Sequence, residues 1–553
     1  MHVKISRLLR DPGEDWPYTP NEIPTVFGAP ANTSHPLRRR IAYGFTAVLI
    51  GLTGLLGNAL VIVNLPQLQG ALGLYADEIA WLPAAYVMAV VPMNFLLVKF
   101  RAQLGLRMFV VGSVVLYSLV MLAHLFTHSF ASAVAARAAS GVVGTAFSTQ
   151  CIFYVNQALP LKWRLQAISV GLAIPQLAVP LARCAFSTEL LASGEWRSLY
   201  LCEFGLTLLS LGAVLLFTLP PAPRHATFEK MDAVTFTLFA TGGAAVAAVI
   251  GLGRYLWWHD TPWLGIVLSA AIPLLMAAIL VERHRAQPTL DIHFLSTGPF
   301  LRYVVLSLVI QLCIAEQTIG AVGLLNAAGL NNDQLHPLFW LIAAAMVAGL
   351  LASTLVMKPP RFAFMKAIGF AMMAVAAALD SQATNLTRPE QFYFSQALLS
   401  FSITFTMGPV FIYGVRLALP VGPSAFISFL AVYSITANLG SLGANSLVGS
   451  YEILREKAYS HNLVQHVVSI DPQVTSRQQS SGEVYAPLTI DPVLRQAEGS
   501  ALLGQQTTHE STVLAYLDVF RLISLVAAIT AACLAGLIAW RRYHISPTPP
   551  ATS

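Results

Sequence analysis

The strongest constraint in this sequence is the length of its apolar runs. A helix of roughly twenty apolar residues spans the ~30 Å hydrocarbon core of a bilayer. Fourteen such runs lie near 41–64, 79–98, 107–127, 130–155, 165–187, 198–219, 233–252, 262–281, 301–325, 336–357, 363–380, 392–415, 424–449 and 514–540. Several contain Gly or Pro, which membrane helices tolerate. Of the 553 residues, 56% are apolar and 10% charged. Soluble domains carry about 25% charged residues, so this chain has too little charge to cover a water-exposed surface of its size. The expectation is an all-α integral membrane protein of about fourteen transmembrane helices.

Charge tests the count. An even number of spans puts both termini on one side, and basic residues collect on the cytoplasmic side of short loops. Arg38, Arg39 and Arg40 precede the first span, and Arg541 and Arg542 follow the last. On the same side lie Lys99, Arg101 and Arg107; Lys162 and Arg164; Arg224 and Lys230; Arg283 and Arg285; Lys358, Arg361 and Lys366; and Arg416. The opposite loops hold Glu189, Glu195, Asp333, Asp380 and Glu390. This pattern predicts cytoplasmic termini in an inner (plasma) membrane. Residues 1–40 are polar and proline-rich, without a cleavable leader, and read as a disordered cytoplasmic tail; 543–553 form a second.

The net charge of +6 is spread over these loops, which is no nucleic-acid signature. Cys151, Cys184, Cys202, Cys313 and Cys533 lie in or beside apolar runs without metal-ligand spacing, so neither a disulfide framework nor a metal site is expected. No phosphate-binding loop, zinc-protease or serine-hydrolase motif occurs. The chain reads as no enzyme, with no cofactor. Without a nucleotide site, an ion gradient is the remaining energy source. One stretch breaks the pattern of short loops: residues 450–512 are polar, contain two Asp-Pro pairs at 471–472 and 491–492, and fall on the outer side. A loop this long is usually functional or disordered; partial helix is expected at 451–468 and 492–510.

Several short motifs recur in a particular order. The first span ends Val61-Ile62-Val63-Asn64-Leu65-Pro66, and the second holds Trp81 and Tyr86. The fourth carries Arg137 followed by Gly141 and Gly144, and Trp196-Arg197 opens the sixth. Asp232, Gly253-Arg254 and Trp258 flank the seventh; Pro288, Asp291, Phe294 and Phe300 precede the ninth; Tyr516, Asp518 and Phe520 lead into the last. Over about residues 40–542 this order resembles the fourteen-helix drug:proton antiporters of the major facilitator superfamily. The resemblance implies a six-helix half at 41–220, an inserted helix pair and cytoplasmic linker at 221–300, and a second half at 301–542 with the outer loop 450–512. It further implies halves that rock around a central cavity near the bilayer midplane, export of small amphipathic compounds against protons, and, in a cell with two membranes, a periplasmic adaptor and an outer-membrane channel as partners.

Three places depart from the family pattern. The loop after the second span reads Val98, Ala102, Gln103 and Gly105, with Arg107 kept. The fifth span reads Val179-Pro180-Leu181-Ala182-Arg183 where a Gly-Pro and a Gly pair mark antiporters. The first has Gly57-Asn58 where many relatives carry an acid. An importer on the same fold, or a membrane sensor or scaffold that no longer transports, are therefore the alternatives.

Ionisable groups inside a membrane cost on the order of 3 kcal/mol by insertion scales. They persist where they face a cavity or a partner, so a short set is informative. Glu316, near the middle of the ninth span, is the candidate protonation site; the bland reading is a neutral helix contact. Arg137 is its candidate electrostatic counterpart; the bland reading is a side chain snorkelling to the interface. Arg183 and Glu203 are candidates for an ion pair across neighbouring helices, structural or coupling. Asn58, Asn64, Tyr86, Asn94, Gln150, Gln311 and Asn438 are candidate cavity lining, although an amide alone is more often interhelical glue worth about 0.6 kcal/mol. His124 and His128, at the outer end of the third span, are expected to meet solvent.

Overall fold

The computed structural model describes residues 29–31, 33–186, 196–222, 228–285, 288–468 and 470–544. The tail up to residue 28, the tail from 545, and Glu189, Glu195 and Arg224 of the charge comparison lie outside the described residues. Fourteen helices among them are long and apolar enough to cross a membrane. They are α1 (Leu37–Val63), α2 (Ala76–Leu104), α3 (Leu106–His124), α4 (Phe130–Ala158), α5 (Gln166–Ala185), α6 (Arg197–Leu216) and α7 (Lys230–Leu256). The others are α8 (Pro262–Arg283), α9 (Gly298–Ala327), α10 (Asn332–Val356), α11 (Pro359–Asp380), α12 (Pro389–Ala418), α13 (Pro423–Val464) and α14 (Pro492–Tyr543). No strand occurs among the described residues. This is an all-helical, multi-pass membrane protein.

Local chemistry sets the breaks. Ser129 opens α4 by accepting from Ser132 N at 3.3 Å, an N-cap. Gly105 alone joins α2 to α3 at φ 83°, a conformation that disfavours any Cβ. Pro180 has no N–H for the Gln176 carbonyl, and α5 is interrupted at Leu177. In α9 the residues Glu316–Ala321 form a π-helical segment, a local widening common at functional sites.

Lipid supplies no hydrophobic force between helices, so close packing must hold the bundle. One set of buried rings (Tyr43, Tyr117, Phe147 and Tyr154) gathers α1, α3 and α4. A second (Tyr303, Phe370, Phe411 and Phe429) gathers α9, α11, α12 and α13. Helix α7 lies between α2 and α13: Phe95 and Phe239 stack at 5.4 Å, and Ser446 Oγ donates to Ile250 O at 2.6 Å. Only 17% of the apolar window of α8 is buried, so that helix presents most of its surface to lipid.

At the end of the bundle where the termini lie, an ion network ties α2, α7 and the segment after α8 together. Lys99 and Asp232 are 2.6 Å apart. Arg285 reaches Asp232 at 2.9 Å, Glu229 at 2.7 Å and Glu282 at 2.6 Å. Burial alone lowers the pKa of Arg285, but its hydrogen bonds to Glu229, Glu282 and Asp232 outweigh this and hold it above the ordinary arginine value. The last turns of α2 thus anchor a cross-helix contact to α7 through Lys99.

At the opposite end, the segment 450–512 carries helix where it was expected, near 451–468 and 492–510, and a further short helix between. Helix α13 runs on to Val464, a linking helix spans Pro472–Glu483, and α14 begins at Pro492. With 52 residues, α14 is about 80 Å long at 1.5 Å per residue, far beyond the bilayer thickness. The Asp-Pro pairs are helix starts. Asp471 Oδ1 accepts from Gln473 N at 2.8 Å and Asp491 Oδ1 from Val493 N at 2.9 Å, each with Pro at the first helical position. The extensions pair with each other: Arg455 Nη2 stands 2.6 Å from Asp518 Oδ2, and Tyr459 Oη donates to the same oxygen at 2.8 Å.

Candidate functional site

Among the described residues, three buried polar groups contain the charged candidates Arg137, Glu203, Glu316 and Arg183. The first joins α1, α2, α3, α4 and α6. Gly141 of α4 abuts the Tyr86 carbonyl of α2 so closely that a Cβ there would overlap it. One turn earlier, Arg137 Nη2 donates to Asn58 Oδ1 and Nε to Leu82 O at 3.4 Å. Its guanidinium lies 5.0 Å from the centre of the Tyr86 ring, a cation–π distance. Arg137 is 1% exposed, so it does not snorkel to an interface.

Glu203 of α6 is fully buried beside this group. The Arg137 charge acts on it, and the Tyr117 hydroxyl and Gly57 N–H are polar neighbours. Neither carboxyl oxygen has a well-formed hydrogen bond among the described residues. A Cβ on Gly57 would lie 2.7 Å from Tyr117 Oη and 3.1 Å from Glu203 Cδ. The missing side chain at Gly57 makes room for the Glu203 carboxyl of α6.

The second group joins α9, α11 and α12. Gln396 Nε2 donates to Asp380 Oδ2 at 2.8 Å and lies 3.3 and 3.2 Å from the two Glu316 oxygens. One amide nitrogen thus brings the two carboxyls, from α9 and α11, to a common donor. Gln317 Nε2 donates to Gln396 Oε1 at 3.0 Å and Ser400 Oγ at 2.8 Å. Glu316 and Gln396 are wholly buried and Asp380 is 3% exposed. No arginine or lysine forms an ion pair with either acid among the described residues.

Arg183 forms the third group. Its Nη1 donates to Asn332 Oδ1 at 3.0 Å, and its guanidinium lies 5.2 Å from the Phe339 ring centre. Asn332 Nδ2 in turn donates to Val63 O at 3.3 Å. These contacts bridge α1 and α5 to the start of α10.

Three expectations are corrected by this geometry. Arg183 and Glu203 form no ion pair, because Arg183 turns toward α10 while Glu203 turns toward α1 and α3. Arg137 is not the counterpart of Glu316, since the two lie in separate networks. His124 is 1% exposed rather than solvated: its ring stacks on Tyr200 at 4.5 Å, and Nδ1 lies 2.9 Å from Val120 O.

The amides divide in the same way. Asn58 and Tyr86 meet at Arg137. Asn64, Asn94 and Asn438 each donate to the carbonyl four residues back in their own helix, and Gln150 donates to Ser113 Oγ at 2.6 Å. Gln311 is 9% exposed, on the part of α9 that faces Gly440. Asp380, Gln396 and Tyr117 were not among the sequence candidates. The signal for Asp380 was its position directly after the apolar Ala376-Ala377-Ala378-Leu379, which makes it a helix end as readily as a loop acid.

No family model matches the chain. Two proteins named as uncharacterized MFS-type transporters, from two strains of Mycobacterium tuberculosis, are each 24% identical to it over 390 residues. The match covers 68% of this chain and 54% of each relative, so the chain spans about half the length of the curated relatives it matches. Among solved structures, tetrameric PepTSo2 aligns with a TM-score of 0.53 at 13% identity, covering 91% of this chain and 99% of that one. A structure of proton-dependent oligopeptide transporters aligns at 0.52 and 14% identity, covering 91% and 99%. The proton:xylose symporter XylE, bound to 6-bromo-6-deoxy-D-glucose, aligns at 0.51 and 14% identity, covering 88% and 95%. These are transporters and not enzymes. With fourteen crossing helices and these neighbours, the chain has the major facilitator fold.

Proposed function

We propose that this chain is a proton-coupled secondary transporter of the inner (plasma) membrane, with cytoplasmic termini, that exports small amphipathic compounds. The observation that carries the reading is the Glu316–Asp380 pair. Two carboxyls held at one donor repel each other when both are ionised, which favours a proton on one of them. Here both are buried around one amide donor, with no cation paired to either among the described residues. Such a pair keeps its proton while enclosed and exchanges it when rocking of the two halves brings water to one side. Arg137 keeps a coupling role, with Glu203 as the carboxyl it serves.

Export follows the family resemblance. Uptake is the second reading. It is favoured by the Val179–Arg183 departure from the antiporter motif and by the proton:xylose symporter of the same fold. In a cell with two membranes, the projecting helices of 450–512 would be the surface that a periplasmic adaptor leading to an outer-membrane channel meets.

The test is a growth-inhibition panel of toxic organic compounds on a strain lacking the gene. It is complemented with wild type, Glu316→Gln and Arg137→Ala at matched membrane levels, with acidity followed in everted vesicles. Protection by wild type alone, accompanied by compound-dependent proton movement, supports export. Sensitisation by wild type shows uptake. No difference together with no proton movement overturns the transport reading and leaves the sensor or scaffold.

A further inference from the structure

We infer that Arg183 is an anion-binding site in the cleft between the two halves, and that the transported compound carries a carboxylate or similar acidic group on an apolar body. The inference rests on the transport reading and adds its substrate class. Arg183 follows the break that Pro180 makes in α5 and is 8% exposed. No aspartate or glutamate stands within ion-pair distance of it among the described residues; its partners are a neutral amide and an aromatic face. Arg137, also buried in the N-terminal helices, by contrast has the Glu203 carboxyl near it. A charge left uncompensated in a membrane protein is costly. A neutral amide offsets only part of that cost, whereas a ligand carboxylate, matched to the guanidinium fork, offsets far more.

The surroundings are built for such a ligand. The space beside Arg183 is lined by Pro180, Val322, Phe339 and Ile342, with Gln317 and Thr318 as the polar wall. In this closed arrangement its volume is about 10 Å³, room for roughly one water. A compound therefore enters only as the halves separate. Arg183, Asn332 and Val63 form contacts between the halves, so separation breaks the Arg183–Asn332 bond and frees its donors toward the cleft.

The same place adjoins the proposed proton site. Gln317 lines the cleft, follows Glu316 in the chain, and donates to Gln396, whose own amide serves both Glu316 and Asp380. An anion that draws the Gln317 amide toward itself withdraws it from Gln396. Occupancy at Arg183 and protonation of the acid pair thus act on one chain of amides.

The test uses the purified full chain in detergent with 4-phenylbutyrate, 1-naphthoate and decanoate, each beside its uncharged primary amide. Binding is read by thermal shift and titration. At least one acid is expected to stabilise the protein where its amide does not. Arg183→Gln should abolish the shift while remaining monodisperse, and Arg183→Lys should weaken binding about tenfold or more. Glu316→Gln should still bind. If acids and amides act alike, if none of the acids binds, or if Arg183→Gln retains the shift, the anion site is overturned. If the acids bind through Arg183 but move no protons in proteoliposomes, the site stands and the transport reading fails.

Discussion

Gln396 Nε2 donates to Asp380 Oδ2 at 2.8 Å, and the same nitrogen lies 3.2 Å from Glu316 Oε2. One amide on α12 therefore organises carboxyls from α9 and α11. Gln396→Leu leaves both acids without this donor, and losing one partner of a buried polar group costs about 1–3 kcal/mol. We expect a lower melting temperature, with coupled transport reduced more than binding. Glu316→Gln and Asp380→Asn keep the hydrogen-bonding shape but remove one exchangeable proton each. Both should keep the fold and lose proton movement, measured as dye quenching in proteoliposomes. Retained coupling in both variants would show that the proton travels elsewhere.

Gly57 gives a second prediction, because a side chain there meets Tyr117 Oη and Glu203 Cδ. Gly57→Ala overpacks the Arg137 group, at a cost of about 1–3 kcal/mol. Combining it with Glu203→Ala should restore much of the loss, since the crowded carboxyl is then gone. A double-mutant cycle on melting temperature reads this directly, and additivity would mean that the two residues do not share the space.

The projecting helices give a third. Removing the Asp491 cap with Asp491→Ala should cost about 1 kcal/mol, and Asp518→Asn should loosen Arg455 and Tyr459. Hydrogen exchange is expected to rise at 451–464 and 492–512 while the membrane helices stay protected. Rapid exchange of 492–512 already in wild type would contradict its helical state.

Sidedness gives a fourth. In a variant with the five cysteines replaced by serine, a single cysteine at Leu488 should react with a membrane-impermeant maleimide in intact cells. One at Lys358 should react only after the membrane is opened. The reverse pattern would invert the proposed orientation.

A fifth concerns the terminal-end network. Asp232→Asn removes the partner shared by Lys99 and Arg285. Breaking an ion pair on one side leaves the other charges uncompensated. We expect a lower melting temperature, and Lys99→Met in the same chain should recover part of it.

The helices were legible in the sequence because bilayer thickness sets a run length that twenty consecutive residues reveal locally. The cost of charge in lipid likewise singled out Glu316, Arg137, Arg183 and Glu203, each of which proved to be buried. Their partners were not legible, because a partner is chosen by packing between helices distant in the chain. Asp380 ends an apolar run and reads as a loop acid until α12 brings Gln396 against it and α9 brings Glu316. Arg183 and Glu203 are 20 residues apart in sequence, yet the break in α5 turns one toward α10 while the space at Gly57 receives the other. In the polar 450–512 segment, helix at 451–468 and 492–510 was legible from the sequence, whereas the pairing of Arg455 and Tyr459 with Asp518 was not. Composition and run length determined that this chain crosses a membrane many times; tertiary packing alone decided which buried charges meet, because lipid makes every charge costly but does not specify its partner.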